Sequence, residues 1–261
     1  MPVAQIQETL ESVPVARHDE TGWRQENHKA WLWTTVSEND AVYKLDLRRN
    51  GEVARSLLNS TKFLGTVVSD RYKACNCYPM ERRSICHSQL ARADRKIADR
   101  EGPGQEIGKE LCTKEAAVFT VWHLFRNGTI NREELCERMD PISTSIKTLL
   151  EQGAACGDSK VAGMCKDILK HWAAMWTFTR VPGVEPTNNR SEQALRPYVL
   201  WRKGSFGTQS ERGSRFMARM MSVIQTCRRQ SRHLLTFLTQ TIDSWNWDTP
   251  PPSIVLTCDT R

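Results

Sequence analysis

The sequence predicts an α/β protein, with a mixed sheet in the first hundred residues, a helical block after it and a helical C-terminal segment. Runs of strand length, rich in β-branched and aromatic residues, occupy the first hundred residues. From residue 105 to residue 179 apolar residues recur at helical spacing, and shorter helical patterns continue to residue 245. A chain of 261 residues is long enough to bury a core of this kind.

Short apolar runs predict the individual elements of the sheet region. Trp31–Val36 is aromatic and β-branched, and Ala41–Leu47 alternates apolar with polar residues, so both are typical of strands in an antiparallel meander. Glu52–Leu58 has the pattern of a short helix. A short strand at Ser84–Cys86 precedes a helix that continues through Ala98.

Helical periodicity predicts the remaining elements. Two helical stripes contain Ile107, Leu111, Val118, Trp122 and Phe125, and then Leu135, Met139, Ile142, Ile146 and Leu149. Further helices are predicted at Ser159–Trp176, Asn189–Leu195, Ser210–Arg228 and His233–Trp245. We therefore divide the chain into a sheet core (residues 1–100), a helical insertion (101–180), C-terminal helices (181–245) and a flexible tail (246–261).

The positive charge of the chain is concentrated in one segment. From Arg180 to Arg232 there are eleven Arg or Lys and three acidic residues, a net of +8 against +7 for the whole chain. Tyr198, Trp201 and Phe206 lie among these charges, a pattern that favours a nucleic acid as partner, DNA or RNA. A solvated charged face is the alternative. We expect DNA-backbone contacts from Arg196, Arg202, Lys203 and Arg215.

Three carboxylates stand at positions that suit metal-dependent chemistry. The run Val13–Ala16 leads to Asp19 and the run Phe63–Ser69 ends at Asp70, so we expect both aspartates at strand ends. Glu192 lies in the first turn of a predicted helix. Magnesium prefers such hard oxygen ligands, and two ions can stabilise both the attacking and the leaving oxygen of a phosphoryl transfer.

Each carboxylate also has a purely structural interpretation. Asp19 could begin a turn, because aspartate at the end of a strand is common in turns. Asp70 could pair on the surface with Arg71 or Arg82. Glu192 lies three residues after Asn189, which is the spacing of a helix capping box.

The nine cysteines are scattered, and no apolar run has the length of a signal peptide or of a membrane span. We therefore expect a cytoplasmic protein with reduced thiols and no membrane partner. A zinc site at Cys75, Cys77, Cys86 and His87 is the alternative. Cys-x-Cys followed by an adjacent Cys-His pair is poor spacing for tetrahedral zinc, so ordinary thiols are the preferred interpretation.

Four motifs occur in order along the chain. Asp19–Arg24 (DETGWR) and Val68–Tyr72 (VSDRY) each contain one of the aspartates. Glu185–Pro197 (EPTNNRSEQALRP) contains Glu192 and is followed by Trp201–Ser210 (WRKGSFGTQS). Together these motifs resemble those of the insertion sequence 66 family of transposases, and the resemblance extends over about residues 15–238.

The resemblance implies a ribonuclease H-like mixed sheet with a large helical insertion before the last acidic residue. By motif, the catalytic triad is Asp19, Asp70 and Glu192, and these residues hold two Mg²⁺ (or Mn²⁺) ions. The implied activity is cleavage of DNA at transposon ends, followed by joining of the freed 3′-OH to target DNA. The implied partners are transposon-end and target DNA, together with further copies of the chain or subunits of an intact transposase.

Two departures from the family pattern leave other functions open. The family has an N-terminal half, with a coiled coil, a cysteine-rich zinc module and a DNA-binding region, before the motif that begins here at Asp19. In Cys86–Arg92 (CHSQLAR), Gln89 stands where the family has histidine. These departures favour a non-catalytic DNA-binding relic or an interfering subunit. The three acidic residues favour a transposase or a ribonuclease H-like nuclease.

Overall fold

The structure, a computed structural model that describes residues 2–256, has a mixed α/β fold. The strands are β1 (Val15–Gln25), β2 (His28–Val36), β3 (Ala41–Asp46), β4 (Thr66–Ser69) and β5 (Arg83–Ile85). They form one mixed five-stranded sheet with the order β3-β2-β1-β4-β5. The helices are α1 (Pro2–Ser12), α2 (Gly51–Leu57), α3 (His87–Ala98), α4 (Gln105–Arg126), α5 (Arg132–Ala155), α6 (Ser159–Leu169), α7 (Trp172–Met175), α8 (Thr177–Arg180), α9 (Asn189–Ser205), α10 (Glu211–Arg229) and α11 (Leu234–Asn246). Short 3₁₀ helices cover Lys73–Cys77 and Met80–Arg82.

The antiparallel meander predicted from the sequence is confirmed. β1 pairs with β2 from Arg17↔Val36 to Gln25↔His28, and β2 pairs with β3 in turn. The prediction that a strand ends at Asp19 is wrong, because β1 continues through this residue for six more positions. The polar sequence after His18 has the composition of a turn, but full pairing with β2 keeps it extended.

The described residues form two compact units, which we treat separately. The first contains those in Met1–Val67, Tyr72–Tyr78 and Asn188–Arg261, and the second those in Val68–Arg71 and Pro79–Thr187. β5 and α3 belong to the second unit. The divisions at residues 100, 180 and 245 inferred from periodicity stay a prediction.

In the first unit, apolar residues of the meander pack on both faces. Trp33 packs in a core cluster with residues of α1, α2 and α11, whereas the adjacent Leu32 packs in a second cluster with residues of α9 and α10. Successive side chains of a strand point to opposite faces, so both faces of β2 are covered by helices. β2 therefore has a nearly continuous apolar run rather than a simple alternation.

Helix α10 covers the outer edge of β3. The Tyr43 amide donates to Ser222 Oγ at 2.9 Å, and the Ala41 amide donates to Thr226 Oγ1 at 3.1 Å. Thr226 Oγ1 also donates back to the Ala41 carbonyl at 3.2 Å. An uncovered strand edge is a template for pairing with other chains, and here helix hydroxyls occupy it.

The second unit is mainly helical. α4 and α5 pack against each other as a hairpin, as the two apolar stripes predict. α5 begins with a capping box, in which Asn131 Oδ1 accepts from the Glu134 amide at 3.0 Å and Glu134 Oε2 accepts from the Asn131 amide at 2.7 Å. Asp158 caps α6 by accepting from the Lys160 amide at 2.8 Å. The single helix predicted at Ser159–Trp176 is divided into α6 and the short α7.

Three features of the first unit differ from the expected pattern. The short helix predicted at Asn189–Leu195 continues to Ser205 through Pro197, and α1 had no clear signal in the sequence. In the tail expected to be flexible, Ile254 is fully buried in the core cluster of Trp33. Residues 257–261 of that tail lie outside the described residues.

Within residues 2–256, none of the helices has the length and apolar character that a membrane span requires.

Candidate active site

Asp19 lies in the middle of β1 and is held by the register of the sheet. It pairs with Thr34 of β2, and its Oδ1 accepts from the Glu20 amide at 2.8 Å. The preceding His18 is buried, its Nδ1 lies 2.8 Å from Thr35 Oγ1, and its ring packs against Trp33. Side chains alternate along a strand, so Asp19 projects to the opposite face from His18, which is the face covered by α9 and α10.

Burial lowers the pKa of His18 to about 4, so this imidazole is neutral at pH 7. A neutral ring can share one hydrogen bond with Thr35 without carrying a buried charge. His18 therefore serves to fix the strand beside Asp19.

Glu192 is in the first turn of α9, as predicted. The capping-box interpretation of this residue is wrong, because the N-cap is Asn188 and no side-chain cap bond forms there. Instead, the Glu192 amide donates to the Asn188 carbonyl at 3.3 Å, an ordinary helical bond. The Glu192 side chain is partly buried and lines a shallow groove of about 370 Å³ together with Arg196.

A buried hydrogen bond attaches the start of α9 to β1. Asn188 is 3 % exposed, and its Nδ2 donates to the His18 carbonyl at 2.9 Å. This carbonyl precedes Asp19 directly, so the first turn of the Glu192 helix begins beside the strand position of Asp19. Asp19 and Glu192, two of the three predicted carboxylates, therefore lie in the same unit on elements that this bond joins.

Two further contacts hold α9 along the same strand. Arg202 Nη1 donates to Thr21 Oγ1 at 3.4 Å, and the rings of Trp201 and Trp23 lie 5.7 Å apart. Asp19, Thr21 and Trp23 alternate with residues of the other face, so all three share the face that α9 covers.

Asp70 belongs to the second unit and directly follows β4, so its predicted position at a strand end is confirmed. Ser69 Oγ donates to the Asp70 carbonyl at 2.9 Å. The neighbouring Arg71 forms its ion pair with Asp167, at 2.7 Å.

Within residues 2–256, no group of three His, Cys, Asp or Glu side chains is arranged to hold a metal ion. The ion-binding role of Asp19, Asp70 and Glu192 stays a prediction.

The turn between β1 and β2 borders an open groove, which we call the hairpin groove. It has a volume of about 660 Å³ and is lined by residues of β1, the turn, the start of β2 and the end of α9. Its charged lining residues are Arg24, Glu26, Lys29 and Arg202. In the described part of the chain, none of its three cations lies within ion-pair distance of a carboxylate.

A close backbone contact attaches the end of α9 to this turn. Gly207 has φ +113°, and a Cβ added there would lie 2.2 Å from the Arg24 carbonyl oxygen. The Thr208 amide donates to that carbonyl at 2.9 Å, and the Glu26 amide donates to the Thr208 carbonyl at 2.6 Å. Only glycine fits at position 207, so part of the WRKGSFGTQS motif is structural. The sequence interpretation, which treated this motif as a DNA contact, missed that role.

Three of the four predicted DNA contacts line three different grooves. Arg202 lines the hairpin groove, and Arg196 lines the shallow groove beside Glu192. Lys203 is exposed near the end of α9. Arg215 lies 3.5 Å from Glu211 and lines a separate groove with residues of α1 and β3.

The cysteines of residues 2–256 are free thiols, as expected. The zinc alternative requires His87 as a ligand. His87 Nδ1 lies 2.9 Å from Glu115 Oε2, and its Nε2 lies 2.9 Å from the Met175 carbonyl oxygen. Both ring nitrogens are thus occupied by protein acceptors.

This His87 cluster is a buried polar network that sequence spacing did not reveal. Burial would lower the pKa of His87, but the Glu115 carboxylate and the Met175 carbonyl favour the imidazolium, and the pKa is raised. Burial raises the pKa of the nearby Asp94 to about 8, and the charge of Glu115 adds to this effect. Glu115 lies 28 positions after His87, so only the fold brings this pair together, whereas Asp94 lies two turns after His87 on the same helix.

Comparison with known proteins agrees with the motifs. A model of the Transposase IS66 family matches residues 2–216. The chain is also similar to "Uncharacterized protein y4qI" of Sinorhizobium fredii (strain NBRC 101917 / NGR234), with 25 % identity over 238 residues. That match covers 82 % of this chain and 43 % of the relative, so the chain spans less than half of the relative's length. No solved structure matches the chain significantly.

Proposed function

The chain belongs to the Transposase IS66 family, and from this we propose that it is a catalytic domain for DNA transposition. It would cleave phosphodiester bonds at transposon ends and transfer the freed 3′-OH to target DNA. The proposal includes a ribonuclease H-like organisation of the sheet. The observation that carries it is the buried bond from Asn188 to the His18 carbonyl, which begins the Glu192 helix beside Asp19.

Asp19, Asp70 and Glu192 are the residues that would hold two Mg²⁺ or Mn²⁺ ions. The donor set suits these cations, because it offers carboxylate oxygens only and Asp19 and Glu192 are partly exposed. When bound, such ions supply positive charge at the reacting phosphate and lower the pKa of bound water. The rigid attachment of β1 to α9 would keep two of the carboxylates in place before DNA arrives.

The basic residues of the first unit would bind the DNA of transposon ends and target. Arg196 shares a groove with Glu192, so it is placed to contact a phosphate next to the scissile bond. Arg202 and Lys203 at the end of α9, and Arg215 on α10, would contact the backbone farther away. Because these residues lie at separate places, several phosphates would be contacted at once. We also propose that the chain acts with further copies of itself or with subunits of an intact transposase.

The test is a nicking assay on supercoiled DNA with Mg²⁺ or Mn²⁺. We expect Glu192→Ala and Asp19→Asn to abolish nicking with little loss of thermal stability, because both side chains are partly exposed. Glu211→Ala is the matched control: it removes an exposed carboxylate from the same basic segment, and nicking should persist. Equal nicking by Glu192→Ala and the unsubstituted protein would refute the assignment. Salt-sensitive DNA binding without any nicking would indicate a non-catalytic DNA-binding protein.

A further inference from the structure

Phe206 is an exposed aromatic residue in an unfavourable backbone conformation. It follows α9 directly, with φ 58° and ψ 11°, and 76 % of it is exposed to solvent. Glycine or asparagine usually occupies this left-handed position, because a larger side chain is strained there. Neither helix termination nor burial therefore explains a phenylalanine at this place.

The surrounding chain holds Phe206 in that conformation. The Phe206 amide donates to the Arg202 carbonyl at 2.9 Å. On the other side, Gly207 lies against the Arg24 carbonyl and Thr208 forms hydrogen bonds with the β1–β2 turn. The backbone of Phe206 is thus fixed, and the residue lines the hairpin groove. Strain that the fold maintains in this way is characteristic of binding sites.

The rest of the groove supplies the charges that a nucleic-acid strand requires. Arg24 and Lys29 are exposed and Arg202 is partly exposed, against the single carboxylate of Glu26. Asn27 and Gln209 add amide groups that can donate to base edges or phosphates. An aromatic face beside several cations is the arrangement with which proteins bind unpaired nucleotides.

We propose that the hairpin groove binds an unpaired segment of DNA, with one base stacked on Phe206 and adjacent phosphates on Arg24, Lys29 and Arg202. In a duplex both faces of an internal base are already stacked, so the ring favours a strand end or an opened base pair. This proposal rests on the proposed function only because it takes DNA as the ligand. It does not require that the chain cleaves DNA.

The experiment measures binding of two labelled DNA hairpins by fluorescence anisotropy, in EDTA so that no cleavage occurs. One hairpin is blunt, and the other carries a single-stranded extension of a few nucleotides. We expect the extension to increase the affinity about tenfold, and Phe206→Ala to remove that increase. Phe206→Trp should keep it, because an aromatic face remains.

Two further variants separate stacking from folding. Phe206→Gly relieves the strain at φ 58°, so it should raise the melting temperature and still lose the preference for the extension. Phe216→Ala removes another exposed phenylalanine, 67 % exposed on α10 outside the hairpin groove, and should keep the preference. An unchanged preference in Phe206→Ala would overturn the proposal. Equal binding of the two hairpins by the unsubstituted protein would also overturn the proposal. In that case, binding of the blunt hairpin would still agree with the proposed function. Tighter binding of an RNA extension would overturn DNA as the ligand.

Discussion

Gly207→Ala should destabilise the first unit by about 2–5 kcal/mol. The new Cβ would lie 2.2 Å from the oxygen and 2.9 Å from the carbon of the Arg24 carbonyl, both of which are backbone atoms. Alanine at φ +113° is strained by about 1–3 kcal/mol even where space is free. Relieving the contact would break one or both of the hydrogen bonds that join Thr208 to Arg24 and Glu26, at about 1 kcal/mol each.

Gly204→Ala is the matched control three residues earlier. Gly204 lies within α9, and nothing lies within 4 Å of an added Cβ, so alanine should stabilise the helix by about 0.5–1 kcal/mol. Urea denaturation followed by circular dichroism gives both free energies of unfolding. If both substitutions changed the free energy of unfolding in the same direction, the role assigned to the close contact at Gly207 would be contradicted.

Two other predictions concern charge. Burial raises the pKa of Asp94 to about 8, above its value in the unfolded chain, so the folded state binds more protons and stability should fall as pH rises from about 4 to 8. Asp94→Asn should flatten this fall, which thermal melts at several pH values would show; an unchanged pH profile would contradict the assignment. Arg202→Ala should weaken DNA binding at all sequences and reduce by about one the slope of log K against log salt concentration. An unchanged slope in a salt titration would indicate that Arg202 is a solvated charge that does not contact DNA.

Elements with a strong periodic signal could be predicted from the sequence. The meander at Trp31–Val36 and Ala41–Leu47, the short helix before Leu58 and the hairpin of α4 and α5 all agree with the structure. Each of these depends on local alternation or on a helical stripe. The position of Asp70 directly after an apolar strand was predictable for the same reason.

Features that depend on distant partners could not be predicted. Asp19 appeared to stand at a strand end, because nothing local shows that β2 pairs with the polar residues after it. The role of Asn188 depends on a carbonyl 170 residues earlier. The burial of Ile254 likewise depends on packing against the core of the first unit. The prolines just before it predict a loose tail, so the local sequence gives no sign of this burial.

The covered edge of β3 has a consequence for synthesis of the chain. Ser222 and Thr226 lie 179 and 185 residues after the strand amides that they satisfy. At about 5–20 residues per second, a ribosome needs on the order of 10–40 s to add them. Throughout that interval the nascent meander has an open edge at Ala41 and Tyr43. This is the period in which a chaperone, or the same strand on a neighbouring nascent chain, can bind there.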